Sequence, residues 1–318
     1  MKTIGKNLPV VVFGLLLGAL FPVFVPPYYT RIAIDILVYA YLGMAWNILG
    51  GYAGQGSFGH AAFFGLGAYS AALFFVSTKL TPWIGLLIGV AISIGFAVLM
   101  GYLSFKFGLS GHFFFLASIA FAESLRLLFN NLQAVGGSVG IYIPFTAGNS
   151  LYYLQFSPSY LGYYYIFFVL LLAACLISYK IKQSRLGYYL RTIRTDEVLA
   201  ESIGISTMKY KMRALIISAL LTSVCGSIFA FYILYISPDF VMNLTLSVII
   251  VVVVVVGGIG TWEGPLIGAI IVMPIMDITS TYFGNVTGLG PLLAGVVLLA
   301  VALGRPEGFV NLLRKRVK

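Results

Sequence analysis

Long apolar runs alternate with short polar segments along almost the whole chain. Ten runs have the length of a helix that crosses a bilayer, for which about 20 apolar residues suffice. The short alternating segments of a membrane β-barrel do not occur. We therefore predict an all-α polytopic membrane protein with about ten transmembrane helices, as one transmembrane domain over residues 1–318. The predicted spans are roughly 8–25, 32–50, 60–77, 83–105, 112–131, 160–180, 213–236, 243–257, 264–283 and 289–304.

The composition supports a membrane protein and argues against other classes. Hydrophobic residues make up 60% of the chain and charged residues 9%, whereas a soluble domain has about 25% charged residues. The net charge of +10 does not indicate nucleic-acid binding, because the basic residues lie in short blocks between apolar runs. We expect membrane lipid as a partner and no nucleic acid. Cys175 and Cys225 lie in apolar runs without metal-ligand spacing, so we predict no metal site.

The distribution of Lys and Arg predicts the orientation. With the N-terminus inside, most basic residues fall on the cytoplasmic side, and only Arg31 and Lys79 fall outside. The positive-inside rule then predicts that both the N- and C-termini are cytoplasmic. The loop 132–159 is external in this arrangement. We expect the first helix to be uncleaved, because no small-residue cleavage site follows it.

Two glycine-rich segments interrupt the apolar pattern. The first is Gly50 to Tyr69, GGYAGQGSFGHAAFFGLGAY, and the second is 257–268, GGIGTWEGPLIG. Glycine at this density breaks helices, and the freed backbone groups cannot face hydrocarbon. Paired interruptions of this kind indicate discontinuous helices around a site at the membrane midplane. The candidate substrate-pathway residues of the first segment are Gln55, Ser57 and His60.

Close packing of helices is the alternative explanation for these glycines. Gly85/Gly89 and Gly264/Gly268 fit the G-x-x-x-G spacing that lets two helices approach each other. Taken alone, His60 is better explained as a packing residue whose hydrogen bonds are satisfied than as a proton relay. Packing explains the polar side chains of the first segment less well, since buried polar groups need partners or water.

The loop 181–212 is the longest polar stretch and is predicted to be cytoplasmic. Residues Leu186 to Ile203 are predicted to form one helix that ends at Gly204. On a helical projection, the charged side chains lie on one face: Arg191, Arg194, Glu197 and Glu201. The apolar side chains lie on the opposite face: Ile193, Leu199, Ala200 and Ile203. The pattern fits either a solvated helix at the membrane surface or a helix that docks a partner.

Few residues suggest chemistry. Glu123 and Arg126 are three residues apart on one predicted helix and could neutralise each other. No Walker A sequence occurs, so another subunit must hydrolyse ATP if ATP drives this protein. The sequence shows neither a nucleophile–base pair nor a cofactor motif in a fitting context. We therefore predict a protein without catalytic residues or cofactor, which is not an enzyme.

Four segments, in order along the chain, carry a resemblance to a known family. They are GYAGQGSFGHAAFFGLGAY (51–69); FAESLRLLFNN (121–131) with GGSVG (136–140); SRLGYYLRTIRTDEVLAESIGISTMKYK (184–211); and SPD (237–239) through GGIGTWEGP (257–265), then RPEG (305–308). Together they resemble the LivM-type permease of branched-chain amino acid ABC importers. The chain departs from the family pattern at Gly56, at Phe58 and at Glu263.

The resemblance implies a permease subunit of a binding-protein-dependent importer in the bacterial inner membrane. Its implied partners are two ATP-binding subunits, a second related permease, and a periplasmic or lipid-anchored binding protein. The implied substrates are leucine, isoleucine and valine, with urea, short amides or other amino acids as the alternative. An ion-coupled secondary transporter is the alternative of a different class. The residues implied to contact the ATPase lie on the 181–212 loop: Arg191, Arg194, Glu197, Glu201 and Gly204.

Overall fold

The computed structural model describes residues 18–146, 150–156 and 160–282, with short pieces at 292–293, 295–296 and 309–310. Almost all of these residues are helical, and eight helices are long and apolar enough to cross a membrane. The predicted all-α polytopic fold is therefore confirmed. The predicted spans 8–25 and 289–304 and the basic C-terminal tail lie largely outside the described residues.

The described spans agree with the predicted ones to within a few residues. In chain order the helices are α1 (Pro27–Trp46), α2 (His60–Thr78), α3 (Pro82–Lys106), α4 (His112–Asn131), α5 (Ser150–Tyr153), α6 (Leu161–Gln183), α7 (Arg185–Thr195), α8 (Glu197–Ser202), α9 (Thr207–Ile233), α10 (Pro238–Val241), α11 (Leu244–Gly257) and α12 (Gly264–Tyr282). A π-helical segment, Asn47–Tyr52, extends α1. Two short strands, β1 (Ile141–Tyr142) and β2 (Tyr235–Ile236), pair antiparallel.

Proline and left-handed residues set several helix boundaries. Pro27 and Pro82 begin α1 and α3, where a missing N–H costs nothing because it would have no partner within the helix. Lys79 and Leu234 end α2 and α9 with φ of 55° and 61°. Each donates its N–H to the carbonyl four residues earlier. The chain can therefore turn sharply at both places.

Helices α2 and α9 cross in direct backbone contact at the centre of the fold. A Cβ atom added at Gly67 would lie 2.1 Å from the carbonyl oxygen of Ser223, and one added at Gly226 would lie 2.0 Å from that of Phe64. A Cβ added at Gly89 of α3 would lie 3.1 Å from the Cα atom of Gly67. Glycine is thus required for three helices to meet, as the small-residue spacing predicts.

The loop after α6 contains two helices, so the prediction of a single helix from Leu186 to Ile203 is wrong. Asp196 ends α7 in an extended conformation with φ of −157°. Its carboxylate accepts the N–H of Leu199 at 3.0 Å and so caps α8. An aspartate in this conformation favours a new helix start over continuation of the old helix.

Gly204 ends α8, as predicted. Its φ is 84°, and its N–H donates to the carbonyl of Glu201 at 2.9 Å. The N–H of Ile205 donates to the carbonyl of Ala200 at 3.0 Å. This pair of bonds is a Schellman motif, which needs a left-handed residue at this position.

Replacing Gly67 by alanine tests the contact between α2 and α9. The added methyl group would lie 2.1 Å from a carbonyl oxygen, so the helices must separate, and overpacking of this kind costs about 1–3 kcal/mol. We expect a lower midpoint of thermal unfolding for the protein in nanodiscs. Gly95→Ala is the matched control, because its Cβ meets nothing within 4 Å. Equal midpoints for the two variants would contradict the packing.

Candidate functional site

The two glycine-rich breaks contact each other through the side chain of Asn47. Its Nδ2 donates to the carbonyl of Thr261 at 2.7 Å, and its Oδ1 accepts the N–H of Gly260 at 2.8 Å. A Cβ at Gly51 would lie 1.8 Å from the same Oδ1, so glycine is required there. The motif pattern does not single out Asn47, although a lone amide before Gly-Gly in an apolar run is a usable signal.

Arg194 of α7 reaches both breaks from the loop 181–212. Its Nη1 donates to the carbonyl of Gly51 at 2.5 Å. A Cβ at Gly260 would lie 2.5 Å from that nitrogen, and one at Gly54, where φ is 69°, would lie 2.9 Å from Arg194 Cγ. Two glycines, Gly54 and Gly260, therefore make room for one arginine. Its guanidinium group hydrogen-bonds the first break and lies against the second.

The breaks join successive helices towards the end of the bundle that carries Arg194, and a site at the membrane midplane stays a prediction. The helical stretch Pro27–Tyr52 has 26 residues, and α2 and α12 have 19 each, which is enough for each to cross a bilayer. The breaks therefore lie between helices of membrane-spanning length. The orientation predicted from Lys and Arg puts this end, with Arg194, at the cytoplasmic side.

Gln55 and Ser57 are buried, and both bond to backbone groups. Gln55 Oε1 accepts the N–H of Gly111, at the start of α4, at 3.1 Å. Ser57 Oγ accepts the N–H of Gly59 at 3.0 Å, while the Ser57 carbonyl accepts Nε1 of Trp46 at 2.7 Å. These contacts hold the first break in place. A role of either side chain in a substrate pathway stays a prediction.

His60 begins α2 and is completely buried. Its Nε2 lies 2.7 Å from Ser218 Oγ, and Ser218 Oγ donates its proton to the carbonyl of Ala45 at 2.7 Å. Ser218 must therefore accept from His60, which assigns the ring proton to Nε2. His60 Nδ1 has no hydrogen-bond partner within the described residues. The contact with Ser218 is that of a packing histidine, and a pathway role stays a prediction.

Serines from two further helices accept backbone N–H groups just before α2 and in its first turn. The N–H of Phe58 donates to Ser118 Oγ on α4 at 2.9 Å. The N–H of Ala61 donates to Ser247 Oγ on α11 at 2.9 Å. Four N–H groups at a helix start lack partners within the helix. Here neighbouring helices supply some of those partners in place of water.

Arg191, a predicted contact of the ATPase, forms hydrogen bonds with backbone carbonyls of its own chain. Arg191 Nε donates to the carbonyl of Gly187 at 3.0 Å, and its Nη2 donates to that of Lys182 at 2.9 Å. The first bond lies within α7, and the second ties α7 back to the end of α6. Together with Arg194, this arginine fastens the loop to the membrane spans.

The two glutamates of α8 bond to α9. Glu197 forms an ion pair with Lys211, and Glu201 accepts a hydrogen bond from the Thr207 hydroxyl. Lys211 is only 2% exposed, so its charge needs this partner. Contact of these side chains with an ATPase therefore stays a prediction. In this structure they hold the loop in place.

Three large apolar residues of α8 and its C-cap are exposed. Val198 is 78% exposed, Leu199 60% and Ile203 64%. The predicted apolar face is therefore only partly buried: Ile193 and Ala200 pack inside, but Leu199 and Ile203 do not. This apolar edge, which consists of Val198, Leu199 and Ile203, projects from the end of the bundle that carries Arg194.

The bundle of apolar spans with a helical loop fastened to its breaks defines an all-α polytopic membrane protein. The chain belongs to the family described as branched-chain amino acid transport system / permease component, whose sequence model matches residues 28–302. No solved structure gives a significant match.

The curated relatives agree with the family. The chain is 24% identical to the "High-affinity branched-chain amino acid transport system permease protein LivM" of Escherichia coli (strain K12), over 96% of this chain and 75% of the relative. It is 25% identical to the protein of the same name from Salmonella typhimurium, over 90% and 71%. The "Probable ABC transporter permease protein y4mJ" of Sinorhizobium fredii is 28% identical over 66% and 64%. The chain is thus a LivM-type permease, a multi-pass inner-membrane transporter subunit and not an enzyme.

Replacing Asn47 by leucine tests the contact between the breaks. The change removes both bonds and leaves the N–H of Gly260 and the carbonyl of Thr261 unpaired, at about 1–3 kcal/mol for each group. We expect a lower unfolding midpoint and faster amide hydrogen exchange over residues 258–263. Asn131→Leu is the control, because Asn131 bonds only the carbonyl of Leu127 in its own helix. Identical exchange over 258–263 in the two variants would contradict the bridge.

Proposed function

We propose that this chain is one of two permease subunits of an ATP-binding cassette importer for leucine, isoleucine and valine. The family match and the two LivM relatives support the substrate class. The observation that carries the proposal is the contact of Arg194 with both breaks. Through this contact, a force applied to the 181–212 loop reaches the ends of four spans: α1, α2, α11 and α12.

The proposed complex contains two ATP-binding subunits, a second related permease, and a periplasmic or lipid-anchored binding protein. The chain lacks a Walker A sequence, so the energy of ATP must arrive from another subunit. The substrate would cross between this chain and its partner permease. Gln55, Ser57 and His60 lie at the inner end of that proposed pathway.

The residues of the 181–212 loop have distinct proposed roles in coupling. Arg191, Glu197 and Glu201 fix the loop to α6 and α9, and Gly204 ends α8. Arg194 transmits movement of the loop to the breaks. The apolar edge of α8 docks the ATPase, because exposed valine, leucine and isoleucine side chains gain free energy when a partner covers them.

Reconstitution of the complete importer in proteoliposomes tests the proposed function. We expect uptake of labelled leucine that requires both ATP and the binding protein. Excess isoleucine or valine should compete with this uptake, whereas urea and acetamide should not. Two results would contradict the proposal: ion-driven leucine uptake by this chain alone, or uptake of urea or acetamide in preference to leucine.

Replacing Val198 by aspartate tests the docking edge. A carboxylate in the middle of an apolar interface must lose its water, so we expect the ATPase subunits to dissociate, with at least about a tenfold loss of affinity. Co-purification of the ATPase with the permease pair measures this loss. Val139→Asp is the matched control, since Val139 is 81% exposed but lies in the loop predicted to be external. Undiminished co-purification of Val198→Asp would rule out docking at this edge.

A further inference from the structure

A polar cluster lies at the other end of the bundle from Arg194. Arg126 of α4 bonds Glu123 Oε2 through Nη2 at 2.8 Å and bonds Asp239 of α10 through Nη1. Asn130 Nδ2 donates to Asp239 Oδ1 at 3.1 Å. Because α4 starts beside the first break at Gly111 and rises about 1.5 Å per residue, its far end is on the predicted external side. The proposed coupling of the 181–212 loop to the breaks does not involve these residues.

The glycine-rich loop 136–140 packs directly behind this cluster. A Cβ at Gly140, where φ is 82°, would lie 2.3 Å from the carbonyl oxygen of Ile236. The strands pair Tyr142 with Tyr235, and the Tyr235 hydroxyl donates to the carbonyl of Val139 at 2.9 Å. The loop thereby fixes the chain that leads into Asp239. Two segments of the family resemblance, far apart in sequence, meet at this point.

The cluster has one more negative charge than positive. It contains the carboxylates of Glu123 and Asp239 and the guanidinium of Arg126, and the side chain of Asp239 is 58% exposed. An arginine that neutralises a single carboxylate would complete an ordinary structural ion pair. The second carboxylate leaves the described groups with a net charge of −1, which favours a cation.

Two buried polar atoms near the cluster have no hydrogen-bond partner within the described residues: the Tyr69 hydroxyl and Asn130 Oδ1. Tyr69 is 1% exposed, and its ring packs edge-on against Phe129, with the centroids 5.0 Å apart. Phe129 directly precedes Asn130 in α4, so this ring contact places Tyr69 beside the end of α4 that carries the cluster. An unpaired buried polar group costs about 1–3 kcal/mol, so both atoms favour an incoming donor.

We propose that this cluster receives the α-ammonium group of the amino-acid substrate on the external side. An ammonium group has three N–H donors, and the site offers three acceptors: Asp239, Asn130 Oδ1 and the Tyr69 oxygen. Its charge offsets the excess negative charge. The inference rests on the proposed function and assigns the contact that recognises the substrate after its release from the binding protein.

Ligand-induced thermal stabilisation tests this site in nanodiscs that hold the two permeases and the two ATP-binding subunits. The binding protein is left out, so that it does not contribute to ligand binding. A ligand that binds the folded protein raises its unfolding midpoint. We expect millimolar leucine and isoamylamine, which lacks the carboxylate, to raise the midpoint. Because 4-methylpentanoate lacks the amino group, it should not. Equal stabilisation by 4-methylpentanoate and leucine would overturn the proposal.

Tyr69→Phe removes only the unpaired hydroxyl, so the fold loses no hydrogen bond. We expect an unchanged or higher midpoint without ligand and an apparent Kd for leucine weaker by about tenfold or more. Asp239→Asn should weaken leucine binding likewise. The matched control is Tyr163→Phe, whose hydroxyl donates to the carbonyls of Leu154 and Phe231 at 2.9 and 2.6 Å. It should lower the midpoint but leave the Kd unchanged.

Several results would count against the site. Leucine affinity equal to that of the wild type in Tyr69→Phe would overturn it, as would the absence of leucine binding to the wild-type complex. Weakened association of the binding protein with Asp239→Asn, at unchanged leucine affinity, would instead assign the cluster to protein docking. ATP-driven leucine uptake by the wild type distinguishes failure of this site from failure of the proposed function. If uptake persists while the binding results contradict the site, only the site is ruled out.

Discussion

A backbone that leaves the helix inside a bilayer must find every hydrogen-bond partner within the protein, and this requirement shapes the site. The first break obtains partners from serines on α4 and α11, and the second break obtains them from the side-chain amide of Asn47. Glycine allows these partners to approach, because a Cβ at Gly51 would collide with that amide. The glycine-rich motif is therefore a set of close contacts. The spacing of its glycines reflects the positions of the side chains that form hydrogen bonds with the backbone.

The same requirement links the cytoplasmic loop to the spans. Arg194 occupies a space that Gly54 and Gly260 leave open and donates to the carbonyl of Gly51. A hydrogen bond from a charged side chain contributes about 1.5–3 kcal/mol, more than a bond between neutral groups. Movement of α7 therefore carries the breaks with it. The external cluster around Asp239 is joined to them through α4, whose start bonds Gln55 and whose end carries Asn130.

The apolar pattern predicts the described spans to within a few residues, because lipid demands long uninterrupted runs. The direction of the loop's charged side chains was not predictable, since a helical projection shows which residues share a face but not what lies against that face. Asp196 shows a signal that could have been used, because aspartate before Glu-Val-Leu is a helix start. The ion pair of Arg126 with Asp239 was not predictable, because no local rule joins residues so far apart in sequence.

The central claim is that Arg194 carries the movement of the loop to both breaks. Its most direct test is the number of leucine molecules imported per ATP hydrolysed by the complete importer in proteoliposomes with Arg194→Met. The account predicts that the ATPase subunits remain bound and hydrolyse ATP, while this ratio falls by about tenfold or more, as expected for the loss of a charged hydrogen bond. Arg185→Met, at an exposed position of the same helix, should keep the wild-type ratio. An unchanged ratio in Arg194→Met would contradict the account.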